Sequence, residues 1–223
     1  MVQKFLTFRS KIKDKFFWLL LALASLIFLP SFVNSSTSKD LLIYICLGSV
    51  LVMGVVVAAE TTRKFYHIGL LALVALVFNS LSFSVMQELL FLLRMISLML
   101  FFGWLLSYVF KKMAKARRIS ENVIYGAVDG YLLLGILGGF ACRIIHHFYP
   151  DAFFIPSTLE GKLDVFTYFS FVTLTNLGYG DITPVTSPSQ SIALFLAISG
   201  QLYLAIVIGI LVGKFLLIRN NRK

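Results

Sequence analysis

Six long runs of apolar residues, separated by short polar segments, dominate the chain. They cover residues 16–33, 41–59, 68–83, 89–110, 124–148 and 192–217. Apolar runs of about 18 residues or more are typical of membrane-spanning helices. The third run is the shortest and ends near Asn79 and Ser80, so we expect tilt or local thinning of the bilayer to accommodate it. The pattern predicts an all-α membrane protein with six transmembrane helices.

The composition agrees with a bilayer protein and excludes an ordinary soluble domain. Of the 223 residues, 59% are hydrophobic and 13% are charged, with a mean hydropathy of +0.90. Soluble domains have about 25% charged residues. The net charge of +10 would suggest a nucleic-acid partner in a soluble chain, but here the basic residues cluster between apolar runs. We therefore expect no nucleic-acid binding. Cys46 and Cys142 lie inside apolar runs and predict no disulfide framework.

The basic residues also predict the orientation of the chain in a cell membrane. Sixteen of the twenty fall on one side of a six-span layout, and this excess marks the cytoplasmic side. Both termini of this multi-pass protein are therefore expected in the cytoplasm. A secretory signal is a less favoured reading of the first run, which is long and aromatic. The connector after the fourth run is a possible contact for anionic lipids through Lys111, Lys112, Lys115, Arg117 and Arg118.

The segment between the fifth and sixth runs, residues 149–191, differs from the other connections. It is too polar for another crossing, yet it contains a semi-apolar stretch at residues 163–174 that is too short to span a bilayer. A glycine-containing segment follows. Such a re-entrant loop is tolerated at membrane depth only where it lines a water-filled cavity or is buried in protein. The order of the elements alone therefore predicts a pore.

The glycine-containing segment reads Thr-Asn-Leu-Gly-Tyr-Gly-Asp over residues 175–181. Gly178 and Gly180 alternate with Leu177 and Tyr179, and glycine adopts backbone angles that are closed to other residues. This alternation allows successive carbonyls to point the same way. A ring of such carbonyls from several subunits can replace the water shell of a dehydrated cation.

Residues 168–184 closely resemble the pore loop of tetrameric potassium channels. The chain is similar to six-transmembrane, one-pore-loop subunits of the voltage-gated-like cation channel superfamily, most strongly over residues 163–213. The resemblance implies a homotetramer with K+ ions in a selectivity filter, bound by the carbonyls of Asn176, Leu177, Gly178 and Tyr179. It assigns the whole filter to Thr175, Asn176, Leu177, Gly178, Tyr179 and Gly180, and its support to Tyr168, Phe169 and Asp181.

Two filter residues differ from the commonest pattern of the family. Leu177 replaces a Val, which is a mild change, and Asn176 replaces a Thr whose hydroxyl helps form the innermost ion site. The Asn176 amide oxygen can coordinate instead, or that site is weaker. A weakly selective cation channel is therefore the first alternative to a potassium channel. A potassium transporter subunit and a non-conducting regulatory subunit are less favoured, because the chain has one pore loop and an intact Gly-Tyr-Gly.

The last run is expected to form the inner helix of the pore. Ser187 and Pro188 are typical of a helix start. Gly200 lies twenty residues after Gly180, where the family typically has a hinge glycine, although close helix packing explains it equally well. One helical face is predicted to line the cavity through Gln201, Leu204, Ile208 and Val212.

Two domains are expected: a peripheral four-helix domain at 1–118 and a pore domain at 119–223. A voltage sensor needs several regularly spaced basic residues, but the fourth run has only Arg94, so we expect no steep voltage dependence.

For Asp129 we favour a salt bridge to the basic connector over a functional role. His146 and His147 point about 100° apart on a helix and are expected to be interfacial rather than metal ligands. The sequence contains no recognisable catalytic arrangement, so we expect neither an enzyme nor an organic cofactor.

Overall fold

A computed structural model describes residues 14–33, 36–58, 62–80, 87–116, 120–159 and 164–220. Seven α-helices make up most of these ranges, which confirms the predicted all-α membrane protein. The helices are α1 (Lys15–Phe28), α2 (Ser36–Ala58), α3 (Thr62–Ser80), α4 (Gln87–Lys115), α5 (Glu121–Phe148), α6 (Val165–Leu174) and α7 (Ser187–Asn220). A short 3-10 turn, Leu29–Phe32, extends α1.

Five segments are long and apolar enough to cross a membrane among the described residues. They are Lys15–Phe32, Ser38–Ala58, Glu88–Lys115, Glu121–Phe148 and Ser187–Ile210. The predicted third span forms α3, whose apolar part, Phe65–Ser80, is shorter than these five. The ten-residue helix α6 lies between α5 and α7 in the chain, where a re-entrant helix was predicted.

The chain divides into two compact units. The first contains Met1–Met113 with Glu121–Gly130, and the second contains Ala114–Ser120 with Tyr131–Lys223. The predicted domain boundary lies between α4 and α5, whereas the first turns of α5 group with the first unit.

In the first unit, α1 packs against α2, and α2 packs against α3. Its core side chains are almost completely inaccessible to solvent; the largest are Leu19, Leu23, Leu51, Phe101 and Phe102. The start of α1 is tied to the start of α5, because Asn122 Nδ2 donates a 2.9 Å hydrogen bond to Asp14 Oδ1. This contact fixes the N-terminal end of α5 inside the first unit.

In the second unit, α6 packs against α7 and also approaches α5 closely. Three glycines of α5, at positions 135, 138 and 139, face three residues of α6, at positions 167, 170 and 171. Both sets have the three- and four-residue spacing of a single helical face. A Cβ at Gly135 would overlap the Phe171 ring, and one at Gly138 would overlap Ser170 Oγ. Ser170 Oγ also donates a 2.7 Å hydrogen bond to Gly135 O. Small residues thus allow the two helices to approach closely.

A short antiparallel ladder joins the segment after α5 to the segment after the filter. Strand β1 (Phe153–Phe154) pairs with β2 (Thr183–Pro184), and Val185 N donates to Ala152 O at 2.8 Å. This ladder was not predicted from the sequence. Two residues per strand are too few to produce a recognisable alternation of polar and apolar positions.

Candidate functional site

The backbone of the predicted filter alternates between left-handed and ordinary conformations. Asn176, Gly178 and Gly180 have φ angles of 59°, 58° and 75°, whereas the intervening Leu177 and Tyr179 have negative φ. The two glycines supply conformations that side chains disfavour. The two glycines had indicated the alternation from the sequence. In the structure, the first residue with positive φ is Asn176, two residues before Gly178.

This backbone conformation provides a physical reason for asparagine at position 176. Asparagine is several-fold enriched among non-glycine residues with positive φ, whereas a β-branched residue such as threonine is strained there. Sequence reasoning considered only the coordinating chemistry of Asn176. Its tolerance of a positive φ is a second property in which asparagine differs from threonine.

The end of α6 holds the start of the filter through backbone hydrogen bonds. Helix C-termini leave carbonyl groups without intrahelical partners, and here amides of the filter satisfy them. The bonds run from Thr175 N to Phe171 O (3.0 Å), from Asn176 N to Thr173 O (3.0 Å) and from Leu177 N to Val172 O (3.0 Å). Thr175 Oγ1 adds a 2.7 Å bond to Phe171 O. The end of α6 therefore positions residues 175–177, the first of the predicted filter, directly.

The carboxylate of Asp181 connects the far end of the filter to α6. Tyr168 Oη donates a 2.6 Å hydrogen bond to Asp181 Oδ2, and Ile182 N donates to Asp181 Oδ1 at 3.0 Å. The hydrogen bond to Asp181, together with burial and nearby negative charge, raises the pKa of Tyr168 from 10.0 to about 12. The structure thus brings together two of the three predicted support residues. Their support role remains a prediction.

Phe169, the third predicted support residue, belongs to a buried apolar cluster at the same end of the filter. Its ring packs edge-on against Phe153 at a centroid distance of 5.2 Å, and Phe153 also packs against Phe166 at 5.5 Å. Ile182, directly after Asp181, is buried in this cluster. Because Phe153 belongs to β1, the ladder and the cluster together fix the segment that follows the filter.

An ion pair holds the other end of α6. Arg143 on α5 bonds to Asp164, which also accepts a 2.7 Å hydrogen bond from Thr167 Oγ1. This anchor was not predicted from the sequence, because Arg143 and Asp164 lie 21 positions apart in the chain. A carboxylate directly before a helix, with a basic residue in the preceding helix, was the available signal.

The predicted cavity face of α7 has side chains accessible to solvent in the isolated chain. Gln201, Leu204 and Ile208 are exposed, while the Val212 side chain lies outside the described residues. Gly200 instead belongs to the buried face of α7, where a Cβ would overlap the Leu174 carbonyl oxygen. Close packing is therefore a sufficient reason for glycine at this position. The hinge and the cavity lining remain predictions.

Asp129 is completely buried, and neither of its carboxylate oxygens has a hydrogen-bond partner within the described part of the chain. The expected salt bridge to Lys111, Lys112 or Lys115 is therefore not formed in this structure. Arg117 and Arg118 lie outside the described residues, so that part of the prediction stays open.

His146 and His147 lie in the last turn of α5. His146 packs against the Phe166 ring at 5.0 Å. Among the described residues, no group of three or more His, Cys, Asp or Glu side chains is suited to hold a metal ion.

Residues 146–216 match a family model described as "Ion channel". The matched region includes the end of α5, the helix α6, the predicted filter and most of α7. Nothing among the curated proteins or the solved structures matches the chain.

This match supports ion-channel activity for the matched region. The fold thus defines a helical, multi-pass membrane protein, and its residues 146–216 are similar to a family of ion channels.

Proposed function

We propose that the chain is one subunit of a potassium-selective channel that conducts K+ passively through a carbonyl-lined filter. The observation that carries this proposal is the alternation of positive φ at Asn176, Gly178 and Gly180. Such a backbone suits a row of carbonyl oxygens facing one direction, which can replace the water around a K+ ion. The supporting contacts of Asp181 and of the α6 C-terminus keep this row in place.

One chain supplies a single strand of such a filter, so the conducting unit is a homotetramer. The exposed filter residues and the long exposed apolar surface of α7 are consistent with contacts to neighbouring subunits and lipid. We further propose that both termini lie in the cytoplasm of a cell-membrane protein. The exposed Lys111, Lys112 and Lys115 at the end of α4 would then face anionic headgroups.

A weakly selective cation channel is the second candidate, and Asn176 is the observation that favours it. An amide differs from a hydroxyl in size and in the direction from which its oxygen coordinates an ion. The innermost ion site with Asn176 therefore coordinates ions differently from one with a hydroxyl. Reversal potentials in asymmetric K+ and Na+ separate the two candidates. Potentials near the K+ equilibrium value support the potassium channel, and comparable permeation of Na+ supports the second candidate.

Single-channel recording of the purified chain in planar bilayers tests conduction itself. Discrete openings that each pass many ions exclude a transporter subunit and a non-conducting regulatory subunit. Gly178→Ala provides a filter control, because alanine at a φ of 58° costs about 1–2 kcal/mol in each subunit. Currents that are identical in this variant would show that conduction does not pass through the proposed filter.

A further inference from the structure

The last carbonyl of the pore helix has a different partner from the three before it. The carbonyls of residues 171, 172 and 173 accept hydrogen bonds from amides at the start of the filter. Leu174 O instead accepts a 3.2 Å hydrogen bond from the hydroxyl of Tyr131, which lies 43 residues earlier on α5. Leu174 is completely buried, so this carbonyl needs a partner within the protein. Tyr131 provides it.

The inner helix α7 contacts the same carbonyl from another direction. A Cβ at Gly200 would overlap Leu174 O and lie 2.9 Å from the carbonyl carbon. Less than one turn further along α7, the ring of Tyr203 packs against the ring of Tyr131 at a centroid distance of 5.5 Å. We call these four residues, Tyr131, Leu174, Gly200 and Tyr203, the Leu174 junction.

The position of the Leu174 carbonyl bears directly on the filter. A peptide unit is planar, so Leu174 C=O and Thr175 N–H move as one rigid group. Thr175 N also bonds to Phe171 O, and Asn176 with its positive φ follows immediately. Holding Leu174 O therefore fixes the orientation of the first peptide plane of the filter. A shift of α7 at Gly200 would reorient the same plane.

We propose that Tyr131 is a positioning residue of the filter, and that the Leu174 junction couples the inner helix to the innermost ion site. This inference rests on the proposed conduction of K+ through residues 175–180. It adds a specific role for one hydroxyl group of α5. It also predicts that inner-helix movement alters ion preference at the filter as well as the width of the pore.

Tyr131→Phe tests the inference, with Tyr125→Phe as a matched control. The control removes a hydroxyl from the same helix, where the ring packs against Phe17 in the first unit. The readout is the Rb+-to-K+ permeability ratio in single-channel recordings, because this ratio reports the geometry of the ion sites. We expect Tyr131→Phe to change the ratio between about twofold and tenfold, the factor that corresponds to one ordinary hydrogen bond. The control should leave it unchanged.

Gly200→Ala places a methyl group of α7 against the Leu174 carbonyl oxygen. This variant tests the inference even if Tyr131→Phe does not assemble. Its control is Gly48→Ala, where an added Cβ meets no atom within 4 Å. Gly200→Ala should also alter the ratio, and the double variant should deviate from the product of the single effects, as expected for residues that share a partner.

The outcomes separate this inference from the proposed function. A Tyr131→Phe channel that melts at a lower temperature but keeps the wild-type permeability ratio would overturn the positioning role and leave a structural one. An unchanged ratio in Gly200→Ala would likewise overturn the coupling to α7. Wild-type tetramers that do not conduct would overturn the proposed function, and this inference with it.

Discussion

The close packing of α5 on the pore helix predicts the effect of Gly139→Ala. An added Cβ would lie 2.9 Å from Thr167 Cα and 2.8 Å from Thr167 Oγ1. The first of these atoms belongs to the backbone of α6 and cannot rotate away, so the two helices must separate. Overpacking of this kind costs about 1–3 kcal/mol. The displaced Thr167 also bonds to Asp164, which anchors the start of α6.

Alanine has a higher helix propensity than glycine by about 1 kcal/mol, which partly offsets this cost. Gly126→Ala on the same helix isolates the packing effect, because its added Cβ would meet nothing closer than Phe16 Cδ1 at 3.5 Å. The difference between the two variants should therefore be about 1–3 kcal/mol in each subunit.

Thermal melting of the purified protein in mild detergent, followed by size-exclusion chromatography, measures this difference. Gly139→Ala should lose its assembled peak several degrees below Gly126→Ala. Equal melting temperatures, or a higher one for Gly139→Ala, would show that the close approach of α5 and α6 is not a feature of the protein.

Three further predictions concern the filter and voltage. Asn176→Val should be less stable than Asn176→Gly by about 1–2 kcal/mol per subunit in melting experiments, because valine disfavours a φ of 59°. The Tyr168 hydroxyl should stabilise the fold fully below about pH 10, and this stabilisation should disappear as the pH rises through about 12, because the native pKa of Tyr168 is raised. The melting temperature of the wild type should therefore decline at alkaline pH, and the decline should be smaller in Tyr168→Phe. Arg94→Gln should alter assembly or stability more than the slope of the conductance–voltage curve, because the fourth apolar run has no second basic residue to take the place of Arg94 as it moves. Steep activation that disappears in Arg94→Gln would contradict this reading.

Much of the fold could be predicted because long apolar runs leave few alternatives in a bilayer. Residues 89–110 and 124–148 correspond to α4 and α5, and the semi-apolar stretch at 163–174 contains α6. The backbone requirement for glycine made Gly178 and Gly180 recognisable without any structure. These signals are local in the chain, so sequence alone carries them.

The remaining features depend on contacts between distant segments. The bond between Tyr131 and Leu174 O joins residues 43 positions apart, and the pair of Arg143 and Asp164 joins residues 21 positions apart. In an apolar run, a glycine that faces another helix has no local signature that separates it from one facing lipid. Gly139 therefore could not be assigned to the α6 contact before the fold was known.

The reversal potential of the purified wild-type chain in planar bilayers tests the central claim most directly. With K+ on one side and Na+ on the other, a carbonyl-lined filter of the proposed kind should give single-channel currents that reverse near the K+ equilibrium potential. Wild-type currents that reverse near zero, with Na+ carried as readily as K+, would contradict the account.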